Sequence, residues 1–194
     1  MRSVLISMSS ILALISYIVY VVAIVRGDAR PHRTTRFCTA LITVLAMASL
    51  FAQGSTSAVW LSVVFAGGSC IIFALSLWRG MGGWSASDIL CLLTSVAGVL
   101  FWNVTNDPLL GLIFFIGADF VGQLPMLFKT YRLPHTEVWT FYFLDVMAAL
   151  CTLAAAGQWS ASEVAYPLYV VALDASIIYL ITGTAIAKAQ RNMR

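Results

Sequence analysis

The chain has 194 residues, of which 61% are hydrophobic and only 10% charged, with a mean hydropathy of +0.93. That balance excludes the composition of an ordinary water-soluble domain, so an all-α integral membrane protein is the expectation, with the lipid bilayer as its main partner. A net charge of +3 gives no reason to expect nucleic acid, and Cys38, Cys70, Cys91 and Cys151 have neither metal-ligand spacing nor the look of a disulfide framework, so no metal and no cofactor is expected.

A helix that crosses a bilayer needs roughly 20 mostly apolar residues. In chain order the sequence offers seven such runs: Val4–Val25, Thr35–Phe51, Ala58–Trp78, Ser87–Trp102, Leu109–Phe128, Val138–Ala155 and Val164–Ala187. Backbone amides cannot stay unpaired in lipid and the runs are too long for barrel strands, so each is expected to be a transmembrane helix. The first run follows Arg2 as a signal peptide would, but its apolar stretch is too long and no small-residue cleavage pattern follows near Gly27.

Seven spans would divide the basic residues almost completely. Arg26, Arg30, Arg33, Arg36, Arg79, Lys129, Arg132, Lys188, Arg191 and Arg194 fall on one face and Arg2 on the other, which predicts an outside N-terminus and a cytoplasmic C-terminus in the cell (plasma or bacterial inner) membrane. Trp60, Trp102 and Trp159 would then mark the outer interface, and Trp78, Trp84 and Trp139 the inner one.

The chain also resembles itself. A shift of 103 residues carries Pro31-His32 onto Pro134-His135, Gly54 onto Gly157, Leu41 onto Leu144, Ala46 onto Ala149, Leu50 onto Leu153 and Arg26 onto Lys129. This predicts a 3+1+3 plan of parallel three-helix repeats: residues 1–80 as the first repeat, 81–106 as a linker helix and 107–194 as the second repeat.

The stretch Leu124-Pro125-Met126-Leu127-Phe128-Lys129-Thr130-Tyr131-Arg132, followed by Pro134-His135-Thr136-Glu137, resembles the helix-end and loop signature of the SWEET and PQ-loop membrane transporters. Met126 stands where that motif has glutamine, and Val22 where the first copy would have proline. The resemblance covers nearly the whole chain and is closest to small bacterial members. It implies a small-molecule carrier working by alternating access around a midplane polar cavity, with Pro125 and Pro167 as hinges.

Aspartates inside a span are costly, about 2.5–3.5 kcal/mol at the centre, and are therefore candidates for function. Asp119, Asp145 and Asp174 qualify. Asp119 shares a helical stripe with Gly122, Gln123 and Met126, Asp145 shares one with Tyr142 and Thr152, and the matching polar face of the first run carries Ser9, Ser16 and Tyr20. Asp119, Gln123, Asp145, Asp174, Tyr142, Ser16 and Tyr20 are thus expected to line a substrate or proton pathway, with an unidentified small-molecule substrate and proton coupling. The same aspartates are also compatible with a purely packing role. His32 and His135 read as solvated loop ends.

No catalytic residue is expected. The rival readings are a receptor or sorting protein on the same scaffold, and an intramembrane aspartyl protease, whose motifs Phe143-Leu144-Asp145 and Gly117-Ala118-Asp119 resemble only distantly. A retinal protein is excluded because the last run has no central lysine. Association of two copies is compatible with the sequence.

Overall fold

A computed structural model describes residues 2–52, 57–82, 108–156 and 161–192, with six further positions from 89 to 104. Among the described residues the elements are α1 (Arg2–Arg26), α2 (Arg33–Ala52), α3 (Ser57–Arg79), α4 (Pro108–Arg132), a 3-10 turn (Pro134–Thr136), α5 (Trp139–Ala154) and α6 (Ala161–Asn192). Most of the expected fourth span, Ser87–Trp102, lies outside the described residues.

The helix ends follow from local chemistry. Gly27 has φ of 88°, its N–H bonds Ile24 O at 3.1 Å and the N–H of Asp28 bonds Ala23 O at 2.9 Å, so a left-handed glycine closes α1 in a Schellman motif. Proline opens α4, where its missing N–H costs nothing. The 3-10 turn also begins with proline, and Glu137 after it is extended at φ −126° and ψ 151°, which separates α4 from α5.

The chain forms two compact units, Met1–Arg30 with Leu127–Arg194, and Pro31–Met126. In the first, α1 packs on α5, α5 on α6, and α6 on the 3-10 turn. Tyr20, Ile24, Tyr142 and Ile177 are fully enclosed there. In the second, α2 packs on α3, with Cys38, Ile42 and Ile72 buried.

The loop before α2 closes the second unit through the end of α3. His32 forms an isolated parallel bridge with Met81, the N–H of Met81 bonds Pro31 O at 2.9 Å and the N–H of Arg33 bonds Met81 O at 2.9 Å. The Arg33 side chain donates from Nε to Ser76 O at 3.1 Å and from Nη1 to Gly82 O at 3.3 Å, a cation on the carbonyl end of a helix. Gly82 has φ of +86°, and a Cβ there would stand 2.4 Å from His32 Nε2. Gly82→Ala is therefore expected to destabilise by about 2 kcal/mol, from a left-handed backbone and an overpacked ring together. Chemical denaturation checks this; an unchanged midpoint would show that the loop yields freely. His32 is buried, contrary to its expected role as a solvated loop end, while His135 is exposed.

The seven-span plan is corrected by helix length and composition. Among the described residues two helices are long and apolar enough to cross a membrane, Arg2–Arg26 and Val164–Gly183, and the apolar helices Phe65–Arg79 and Trp139–Ala154 are shorter. At ~1.5 Å per residue, the 16 residues of α5 reach about 24 Å, short of a hydrocarbon core of about 30 Å. Elsewhere α2 opens on Arg33 and Arg36, and α4 carries Asp119, Gln123, Pro125 and Lys129 along its length. The seven transmembrane helices in 3+1+3 repeats, the outside N-terminus, the bilayer as partner and the cell-membrane localisation all rested on that count and fall with it. Two helices that qualify by length and composition alone do not establish them. Val4, Ile11, Leu14, Ile18, Val22 and Val25 of α1 are nonetheless exposed.

Candidate functional site

Two groups of polar side chains stand out, one in each unit, the first running from an exposed rung to a buried one, and they differ in how completely their hydrogen bonds are made. In the first unit α1 and α5 meet through a polar ladder. Ser9 Oγ and Thr152 Oγ1 are 2.8 Å apart, Ser16 Oγ donates to Asp145 Oδ1 at 2.5 Å, and Tyr20 and Tyr142 each donate a hydroxyl to Glu137 Oε2 at 2.7 Å. As α1 advances, its partner on α5 recedes, so the two polar faces run antiparallel and match rung by rung.

The last rung is ionic. Lys129 Nζ, near the end of α4, pairs with Glu137 Oε1 and also donates to Arg30 O at 2.5 Å, while the N–H of Arg30 bonds Thr136 O at 2.7 Å. The side chains of Lys129 and Glu137 are 6% and 0% exposed, so the pair is desolvated and depends on its hydrogen bonds. Each Glu137 oxygen has a donor. Around it, the ring of Tyr20 stacks on Phe141 at 4.4 Å and meets Tyr142 edge-on at 6.4 Å. The cluster ties together the ends of α1 and α4, the turn and the start of α5.

In the second unit, Asp119 and Gln123 lie one turn apart on one face of α4, both buried. Opposite them, Thr35, Thr39 and Thr43 repeat at a spacing of four along α2. Gln123 Nε2 is 3.4 Å from Thr39 Oγ1, and the Thr39 hydroxyl donates its proton to Thr35 O at 3.0 Å. Thr39 Oγ1 can then only accept, which fixes the amide with its nitrogen towards Thr39 and its oxygen away. Gln123 Oε1 and Thr35 Oγ1 are buried without a hydrogen-bond partner. A buried group left in that state costs about 1–3 kcal/mol, so the seam is held under a penalty that the ladder avoids.

The expected site residues are thus distributed over both groups. Ser16, Tyr20, Tyr142 and Asp145 belong to the ladder, Asp119 and Gln123 to the seam, and Asp174 is buried on α6. Pro125 and Pro167 are both buried and sit inside continuous helices. Glu137, Lys129 and Thr35 are the central side chains that sequence reasoning did not single out as site residues. Among the described residues no group of three or more His, Cys, Asp or Glu is placed to hold a metal ion.

No protein-family model matches the sequence, and no curated protein and no solved structure matches it. The resemblance to the SWEET and PQ-loop transporters is corrected accordingly: it rested on the seven-span 3+1+3 plan more than on the loop motif, and neither a family match nor the required number of membrane-length helices supports it. With it fall the alternating-access carrier around a midplane cavity and the receptor or sorting protein on that scaffold. The polar groups form a ladder and a seam, each within one compact unit.

Proposed function

We propose that the chain is a helical binding protein that takes a small hydrogen-bond donor in the seam of Thr35, Thr39 and Gln123, and that it acts by binding without catalysing a reaction. One observation carries this reading: a buried amide oxygen and a buried hydroxyl, on two helices joined by the Gln123–Thr39 contact, both lack a partner. Native proteins satisfy nearly all such groups, and an exception asks for a function or a bound molecule. The ladder, by contrast, serves as framework, with Ser16, Tyr20, Tyr142 and Asp145 holding α1 against α5.

The test is a thermal-shift screen of the full chain, in mild detergent to cover the exposed face of α1, against small polar molecules that carry a donor. A ligand at a hundred times its Kd stabilises by about 2.7 kcal/mol. At least one compound is expected to raise Tm in the natural protein and to lose that effect in Gln123→Leu and Thr35→Val. If no compound shifts Tm, or if the shift survives both substitutions, the reading fails.

A further inference from the structure

We infer that α1 is an assembly helix, whose outward face packs against the same face of α1 from two further copies of this chain in a parallel coiled coil. The surface belongs to the first unit and is independent of the seam, which lies in the second.

The outward face of α1 repeats every seven residues. Met8, Ile15 and Val22 follow one another at that interval, and so do Val4, Ile11, Ile18 and Val25, with alternating steps of four and three between the two sets. These are the a and d positions of an unbroken heptad pattern. Every one of them is exposed, by 39–59%. The contacts to α5 leave from the opposite side of the helix, through Ser9, Ser16 and Tyr20. A stripe on a straight helix drifts by about 20° per heptad, whereas a strict seven-residue repeat stays turned towards a second helix that supercoils around the first. The repeat therefore asks for a helix as its partner.

That helix is α1 itself. From Ser3 to Val25 it carries no charge, so the positions beside the stripe offer neither the salt bridges that would select a different partner nor the like charges that would forbid self-pairing. Together with Leu14, also exposed, the stripe holds on the order of 700 Å2 of accessible surface on each copy, close to the roughly 800 Å2 that each partner gives to a stable interface. The side chains also set the number of copies. β-Branched residues at a with leucine at d favour two strands, and β-branched residues at both favour three or more. Here d is valine or isoleucine throughout, a holds Ile15 and Val22, and leucine stands at neither.

Light scattering after size exclusion of the full chain in mild detergent reads the number of chains per particle, at two detergent concentrations about tenfold apart because association follows mass action. The natural protein is expected to give about three chains at both. Replacing Val4, Ile11, Ile18 and Val25 together by leucine keeps the face apolar and is expected to turn three chains into about two. Ile11→Lys with Ile18→Lys is expected to leave single chains. Phe143→Lys with Leu150→Lys, on the exposed side of α5, adds the same charge elsewhere and is expected to leave the assembly intact. Circular dichroism reads the helix content of each variant first; should the α1 lysine pair unfold, the leucine set carries the test. One or two chains in the natural protein would overturn the proposal, as would a leucine set that stays at three. Equal dissociation by both lysine pairs would overturn it too, since detergent would then be gathering apolar surface without a defined partner.

Discussion

Replacing Glu137 by alanine is expected to lower the unfolding free energy by about 3–5 kcal/mol, because Lys129 would keep its charge in a buried place and lose the carboxylate that answers it. Tyr20 and Tyr142 would lose the acceptor for both hydroxyls in the same step. The asymmetry of buried ion pairs supplies a control. Removing both charges together, as Glu137→Gln with Lys129→Met, is expected to recover much of the loss, since desolvating the pair offsets most of its attraction. Chemical denaturation of the single and double variants checks both statements. A single Glu137→Ala costing under about 1 kcal/mol, the range of an exposed pair, would mean that water reaches the cluster.

The second large effect is expected at Tyr20. Its side chain is fully buried, stacked on Phe141 and bonded to Glu137, so Tyr20→Ala removes a ring from the join of α1 and α5 at about 3–5 kcal/mol. Tyr20→Phe keeps the ring and loses only a hydrogen bond to a charged acceptor, about 1.5–3 kcal/mol. The difference between these two variants measures packing apart from hydrogen bonding. Tyr20→Phe and Tyr142→Phe share one carboxylate oxygen, so their effects should not add in the double variant. Equal losses from Tyr20→Ala and Tyr20→Phe would contradict the packing part of this account.

These two sites also show what helical spacing could and could not reveal. Ser9, Ser16 and Tyr20 were legible as one face of the first helix, and Tyr142, Asp145 and Thr152 as one face of its partner, because residues on a helix return to the same side at fixed intervals. That the two faces belong together was not legible, since spacing says nothing about which helix packs on which. Glu137 was legible only as part of a loop signature and not as a site residue, because it lies in extended backbone between the turn and α5, where no periodicity marks it. Lys129 read as one of several basic residues at helix ends, and only the fold brings it under Tyr20.

The count of spanning helices failed for a related reason. Hydropathy registers apolar residues without regard to where a helix starts and stops, and α5 at 16 residues is shorter than the run that suggested it. Its start is set by the extended Glu137 before it, which is not an apolar signal. In the seam, Asp119 and Gln123 stood out as polar residues on an apolar helix. Their partners did not, although threonines at 35, 39 and 43, four residues apart on α2, were the signal available.

The central claim is that the ladder holds the fold while the Gln123 oxygen and the Thr35 hydroxyl are kept unsatisfied for a ligand, and Gln123→Leu without ligand tests it most directly. Leucine gives up one long hydrogen bond and removes a buried oxygen that has no partner, so the unfolding free energy should stay within about 1 kcal/mol of the natural protein or rise. A fall of more than about 2 kcal/mol, like that expected in the ladder, would show that Gln123 is structural and that the seam is not a binding site.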